Sequence, residues 1–510
     1  MNYADLLHVT LPETVLEVAA LLVLVVDLAF LRKASLQVRA VSAAFLGIVG
    51  CVAAMYAIGS QMGAGLLSGN MLVLVNGGSA AAAQMGILAL TVLTLLLLVD
   101  ADFTKHVGEF VAVILMSASG GLIISAAQDL LVIFIGLELL SLGLYILTAF
   151  AKRSAKSAES AVKYYLFGGM SAAFLLFGFS YLYGLTGSTN LHQIALGAIT
   201  SYGSGSPLFY VSLVLIAAGL GFKVAAFPFH LWAPDAYEGA PAPAAAFIAS
   251  VSMVASFALL IGIGSAITNV FGDTQAVRMV LVHSGPVQKY EGLAHQWTLL
   301  LAVLAAVSML AGNLAALVQT SVRRLLAYSA VAHAGYVLLG LAYFSHSPRS
   351  AQAVLYYVLT YGLTTVGAFG VIAVVERATG SDRLDAFLGL SKRNPLLAVV
   401  MLVLFLSLAG IPPMVGFWAK FNLFAAVLSV GEGAIPFALV ALAIVMSAVS
   451  LYYYLQVLKR VYVIPAADES PIHAGWLSTT VLMLIAAAVV ALGCFPQIIE
   501  NWIAGFYPGM

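Results

Sequence analysis

Six residues in or beside apolar runs of this chain are candidates to hold or pass a proton: Glu138, Lys163, Lys223, His230, His333 and Lys420. Lys223 and Lys420 are the most informative. Each sits in an apolar, membrane-length run within seven residues of a proline, in FKVAAFPFHLWAPD (222–235) and AGIPPMVGFWAKF (409–421). An ammonium at bilayer depth is expensive, and a proline frees helix carbonyls from their partners. Both are tolerated where a helix breaks around a water-lined cavity inside the protein. The combination occurs twice, about 200 residues apart, which predicts an ion-translocating membrane protein built from two related halves.

Glu138 lies mid-run in DLLVIFIGLELLSLGLYIL (129–147), where a carboxylate must be protonated or paired. A Glu138–Lys223 pair would be a switch, because separating the two makes the lysine release its proton. A purely structural ion pair is the other reading. His230, beside Pro228, and His333, in RRLLAYSAVAHAGYVLLG (323–340), each read as a proton relay or as a satisfied core histidine. Lys420 reads as a buried ammonium or as one that snorkels to water. Lys163 stands four residues after Glu159 and reads equally as a helix-surface pair. Asp27, in LLVLVVDLAF (21–30), has no obvious partner and no assigned role. Trp232, Trp418 and Tyr452–Tyr453–Tyr454 are expected to be interface anchors rather than a cofactor box.

The elements that must position these residues follow from composition. Of 510 residues, 63% are hydrophobic and 8% charged, against about 25% charged in soluble domains. The chain is an all-α polytopic membrane protein. Its net charge of zero points away from nucleic acid. Its two cysteines, Cys51 and Cys494, cannot alone ligate an iron–sulfur cluster or build a zinc site. No Lys or Arg precedes the first apolar run, which reads as a spanning helix rather than a signal peptide.

About fourteen spans are predicted: 12–31, 38–58, 82–100, 108–126, 129–150, 160–185, 207–230, 241–266, 295–317, 322–344, 351–377, 394–426, 435–461 and 477–496. Basic residues then cluster in alternate loops. Arg32, Lys33, Arg39, Lys105, Lys152, Arg153, Lys156, Arg323, Arg324, Arg377, Arg383, Lys392, Arg393, Lys459 and Arg460 share one side, and only Arg278, Lys289 and Arg349 the other. The positive-inside rule makes the first side cytoplasmic and puts both termini outside, in a cell inner membrane. Spans four to eight and nine to thirteen form two sets of five. Because five is odd, they are expected as inverted repeats with spans seven and twelve broken. The expected units are 1–107 (spans one to three), 108–266 (first repeat), 267–461 (the longest polar interruption, 268–294, and the second repeat) and 462–510 (span fourteen). Within aligned repeats Glu138 falls opposite the region of His333. One mismatch stands: Lys223 precedes its break and Lys420 follows its own.

The strings IGLELLSLGLYIL (135–147), ESAVKYYLFGGMSAAFLLFG (159–178), FKVAAFPFHLWAPDAYEGAPAP (222–243), RRLLAYSAVAHAGYVLLGL (323–341) and SLAGIPPMVGFWAKFNLF (407–424) resemble the antiporter-like membrane subunits of respiratory complex I, the proton-pumping NADH:quinone oxidoreductase. Within that family they are most similar to the subunit N branch, whose mitochondrial relative is NADH dehydrogenase subunit 2. The resemblance implies a membrane-arm subunit with one proton path and a central axis of charged residues. It implies no cofactor in this chain, with NAD, FMN, iron–sulfur clusters and quinone in partner subunits. Glu138 resembles the span-five glutamate, Lys223 the span-seven lysine and Lys420 the span-twelve lysine, while His230 and Lys163 match further polar positions. The chain departs from the pattern at span eight, where ASVSMVASF (249–257) has Met253 in place of a lysine. Two other functions are open at this point. One is a subunit of a multisubunit cation/proton antiporter. The other is a structural subunit that no longer conducts, which the Met253 departure keeps in view.

Overall fold

The structure is a computed structural model that describes residues 7–61, 74, 78–197, 207–272, 288–344, 348–429 and 433–506. The middle of the expected polar interruption, with Arg278, lies outside the described residues, as do both chain ends. The described residues are almost entirely helical and contain no β-strand, only isolated bridges. Helices this apolar all round suit an interior or a bilayer rather than a water-facing surface.

The fourteen predicted spans correspond to α1 (Leu11–Val25), α2 (Leu36–Gln61), α3 (Gly78–Leu98), α4 (Val107–Ala126), α5 (Leu130–Thr148), α6 (Ala155–Thr186), α7 (Pro207–Lys223), α8 (Met253–Gly272), α9 (Gln288–Leu317), α10 (Val322–Ala342), α11 (Pro348–Thr379), α12 (Pro395–Ala409), α13 (Ala434–Tyr462) and α14 (Trp476–Cys494). Eleven of the helices among the described residues are long and apolar enough to cross a membrane unaided. The other three spans are interrupted. α1 runs on into a π-turn at Val26–Phe30. α7 is followed by a short helix at Trp232–Gly239, and α12 by a second piece at Val415–Leu428. α8 is reached through Ala242–Phe247 and a π-turn at Ile248–Ser252. π-turns of this kind gather at functional sites.

The two sets of five helices share local features at matching places. Asp129 caps α5 by accepting from the Leu131 N–H, and Ser321 caps α10 by accepting from the Arg324 N–H. Each cap residue then pairs with the chain returning from the next helix, Asp129 with Asn190 and Ser321 with Arg383. The turns before those returns are Gly187 and Gly380, at φ 70° and 71°, a region that disfavours any side chain. α4 meets α5, and α9 meets α10, at a glycine. A methyl group on Gly120 would sit 2.5 Å from the Leu140 nitrogen, and one on Gly312 2.5 Å from the Ala332 nitrogen. Both breaks contain a cis X–Pro bond, Phe227–Pro228 and Pro412–Pro413.

Twelve residues beyond its cap α5 carries Ser141, and α10 carries His333. Glu138 and Ala330, one turn from His333, likewise each stand nine residues beyond a cap.

Three expectations change. Asp27 has a partner, because Arg39 of α2 grips it through Nε–Oδ1 at 2.6 Å and Nη2–Oδ2 at 2.5 Å. The loop between α1 and α2 brings them together, which sequence spacing did not reveal. Trp232 is buried, stacked on Tyr164 at 4.2 Å, and its indole N–H donates to the Phe222 carbonyl at 2.8 Å. That carbonyl also accepts from the Ala225 N–H at 3.0 Å. Trp418 donates to the Gly493 carbonyl at 2.8 Å. Of the tyrosine run only Tyr452 is exposed, and Tyr453 and Tyr454 turn into the protein.

Candidate functional site

The break positions decide where the two lysines go. α7 ends at Lys223, with Ala225 at φ 54°, and α12 ends at Ala409, with Gly410 at φ 84°. A helix C-terminus presents carbonyls with no intrahelical donor and partial negative charge. Lys420 reaches back across its break to that end and donates to the Leu408 carbonyl at 3.1 Å, the Ala409 carbonyl at 2.9 Å and Ser447 Oγ of α13 at 2.8 Å. It also lies 5.3 Å over the Tyr336 ring. Lys223 already belongs to the last turn of α7 and donates sideways to Ser141 Oγ of α5. Both ammoniums thus sit at the C-terminal end of the first helical piece, and the sequence-level mismatch disappears. Both are nearly enclosed, at 7% and 6% exposure, so Lys420 does not snorkel.

Glu138 is half-buried on α5, one turn before Ser141. No ion pair joins it to Lys223 among the described residues. Around it α5 exposes Leu131, Ile135, Leu142 and Ile146, so its open side faces out of the chain.

His230 follows the α7 break. Its ring stacks on Phe227 at 5.2 Å and lies 6.1 Å from Tyr328 of α10, while its buried Nδ1 has no hydrogen-bond partner among the described residues. His333 is fully engaged. Its Nδ1 lies 2.7 Å from Tyr357 OH and its Nε2 3.3 Å from Tyr454 OH, and Tyr454 OH is in turn bonded to Ser329 Oγ. This chain of four groups was not legible in the sequence, because its members come from α10, α11 and α13. The only signal was a tyrosine run too polar for a lipid-facing stripe. A cavity of about 10 Å³ beside it, lined by His333, Tyr357, Thr364, Ser407, Leu408 and Ala419, has room for roughly one water. It connects His333 to the helix end that Lys420 caps.

Met253 stands between the two halves, immediately after the π-turn, and is buried with Ser250, Ser252 and Ser256. Ser250 Oγ donates to the Ala246 carbonyl at 2.6 Å, but Ser256 Oγ is buried without a partner among the described residues. A hydroxyl in that state calls for a water. Met253→Lys is therefore expected to be tolerated, with the complex assembling normally in a detergent extract. In a dry, packed site the same change costs about 2.5–3.5 kcal/mol. Loss of assembly in Met253→Lys, alongside normal assembly in Met253→Leu, would show an apolar plug instead.

Lys163 does not join this row. It is 42% exposed and bridges Glu159 at 2.7 Å and Asp235 at 3.0 Å. Arg324 binds the other Asp235 oxygen at 2.7 Å and Glu238 at 3.0 Å, and Lys156 binds Glu238 at 2.8 Å. This network ties the short helix after the α7 break to the ends of α6 and α10 that carry the basic loops. Burial pushes the Asp235 carboxyl up, but hydrogen bonds from Arg324 and Lys163 outweigh it and hold the group below its ordinary value.

Residues 127–447 match the family described as NADH:quinone oxidoreductase/Mrp antiporter, TM. The chain is 47% identical to NADH-quinone oxidoreductase subunit N 2 of Acidobacterium capsulatum, over 99% of both chains. It is 41% identical to NADH-quinone oxidoreductase subunit N 1 of Roseiflexus castenholzii, over 83% of this chain and 78% of that one. Among solved structures, a chain of respiratory complex I from Thermus thermophilus with bound aureothin superposes with a TM-score of 0.75 at 31% identity, covering 96% of this chain and 98% of that one. A chain of the Mrp complex from Dietzia sp. shares the fold, with a TM-score of 0.79 at 22% identity over 98% and 96% of the two chains.

Proposed function

Since this chain belongs to the NADH:quinone oxidoreductase/Mrp antiporter transmembrane family, we propose that it is the N-type proton-translocating subunit in the membrane arm of a complex I-type NADH:quinone oxidoreductase. The observation that carries this reading is the pair of enclosed ammoniums at the broken ends of α7 and α12, each held by hydroxyl or carbonyl oxygens. Full-length kinship with N-type chains favours it over the antiporter reading, for which the solved Mrp chain shows the fold alone.

On this reading electron transfer takes place in partner subunits, which hold NAD, FMN, iron–sulfur clusters and quinone. This chain moves protons. When Glu138 is neutralised or drawn toward a neighbouring subunit, its field on Lys223 weakens. The ammonium then gives up a proton toward water at His230 and becomes a neutral amine still bonded to Ser141. Water near Ser256 carries the proton past Met253. Lys420 first gives its own proton to water beyond the α12 end and becomes a neutral amine, and His333, with Tyr357 and Tyr454, then passes the incoming proton to it and re-forms the ammonium. The two sets of five helices would act as inverted repeats, one on each side of this central point.

Glu138→Gln tests the first step. The purified complex is reconstituted in vesicles, and proton uptake is measured per quinone reduced. Glu138→Gln is expected to assemble and to pump at least about tenfold less, a barrier of about 1.4 kcal/mol. Glu138→Asp, which keeps the charge, should fall less than Glu138→Ala. An undiminished proton yield in Glu138→Gln would reject the role.

Topology is testable separately. The reading places both termini outside and the 151–154 turn in the cytoplasm. Ser154 caps α6, so a cysteine is better placed at exposed Lys152, in a chain whose exposed Cys494 is serine. An impermeant thiol reagent should reach position 152 only in inverted vesicles. Reaction in intact cells would overturn the orientation.

A further inference from the structure

Helices α1, α3 and α4 enclose a polar group that the lysine row does not use. Glu13 is 4% exposed and Gln84 is fully buried. The Gln84 amide nitrogen lies 3.4 Å from Glu13 Oε1 and donates to the Leu122 carbonyl at 3.2 Å. The other oxygen on each side chain, Glu13 Oε2 and Gln84 Oε1, is buried with no hydrogen-bond partner among the described residues. One turn along α1, Glu17 accepts from Ser119 Oγ at 3.1 Å.

Two neighbouring acceptors without a donor are costly, and a bare carboxylate at bilayer depth more so. Turning the Gln84 amide over does not help, since the Leu122 carbonyl would then face an oxygen. No cation is at hand among the described residues. α3 carries no titratable residue, α4 carries Glu109, and α2 carries Arg39, Cys51 and Tyr56. Arg39 is committed to Asp27 at the other end of α1. His8, before α1, is exposed, and Glu17 adds a second negative charge on the same helix. Like charges this close oppose each other's ionisation. One proton resolves all of this. It removes the Glu13 charge, relieves the repulsion from Glu17 and turns one oxygen of the carboxyl into a donor.

We propose that Glu13 and Gln84 form a proton-binding site at the end of the bundle opposite the basic loops, outside residues 127–447 and apart from the lysine row. Loading adds one proton to the carboxylate to give the acid, and unloading returns it to water. The site stands whether or not the lysine row translocates protons.

Infrared difference spectra of the purified complex at neutral pH, wild type minus Glu13→Gln, test this directly. The expected result is a carboxylic-acid carbonyl band that moves in heavy water and is missing from the variant. Gln84→Leu should keep that band but move it to higher frequency, a change that mere loss of packing does not produce. Glu13→Gln has the shape of the neutral acid and should assemble and melt like wild type. An ionised-carboxylate band in place of the acid band would overturn the proposal. So would a band that shifts when potassium is exchanged for sodium, which would mark a sodium site. Failure of Glu13→Gln to assemble would also count against it, because that would show the negative charge is required.

Discussion

Lys223→Ala should abolish most proton translocation while leaving the subunit as stable as before, or slightly more so. The ammonium is enclosed, and its one side-chain hydrogen bond runs to Ser141 Oγ. Ser141 keeps a bond of its own to the Leu137 carbonyl, so no buried group is orphaned when the lysine goes. Removing a desolvated charge that makes no ion pair costs the fold little and often stabilises it. The functional loss should be larger than for Glu138→Gln, because Lys223 carries the proton whereas Glu138 sets its field. A general acid–base group of this kind contributes about 10²–10⁴-fold. Proton uptake per quinone should fall by about that factor, with an unchanged melting temperature. Normal pumping at full turnover in Lys223→Ala would falsify the assignment.

Lys420→Ala should fail differently, losing both transport and stability. Its ammonium is the donor for two carbonyls at the end of α12 and for Ser447. Truncation leaves the Leu408 carbonyl buried without that donor, at about 1–3 kcal/mol, and the Ala409 carbonyl with only the long bond from Ser447 Oγ at 3.5 Å. The melting temperature of the complex should drop clearly, and pumping should fall as for Lys223→Ala. Lys420→Arg should recover much of the stability, since a guanidinium still donates to the helix end. It should not recover pumping, because arginine does not deprotonate in proteins. Lys420→Ala melting like wild type would remove the capping role, and active Lys420→Arg would remove the proton-carrying one.

The outcomes differ because the two lysines, alike in sequence, meet different surroundings. Each was legible as a charge in an apolar run beside a proline, and span number, loop charge and the two breaks were legible from composition and periodicity. What each ammonium touches was not, because Ser141 lies 82 residues from Lys223 in the chain. The Tyr357–His333–Tyr454–Ser329 chain was hidden for the same reason, and so was the turn of Tyr453 and Tyr454 to the inside. An expected Glu138–Lys223 ion pair proved to be a Lys223–Ser141 hydrogen bond with Glu138 at a distance. Asp27 found Arg39 only because the turn after α1 folds the two helices together.

By itself the sequence determined that this is a many-helix membrane protein with two broken spans, each holding an ammonium that water or protein oxygens must solvate. Those are properties of single segments, set by hydrophobicity, by the missing N–H of proline and by the cost of charge in hydrocarbon. The tertiary structure alone decided which oxygens do the solvating and that Lys420 reaches back over its break. It also left Ser256, His230, Glu13 and Gln84 with unpartnered polar atoms. Partners of buried polar groups come from other helices, and helix packing juxtaposes residues whose separation along the chain carries no signal.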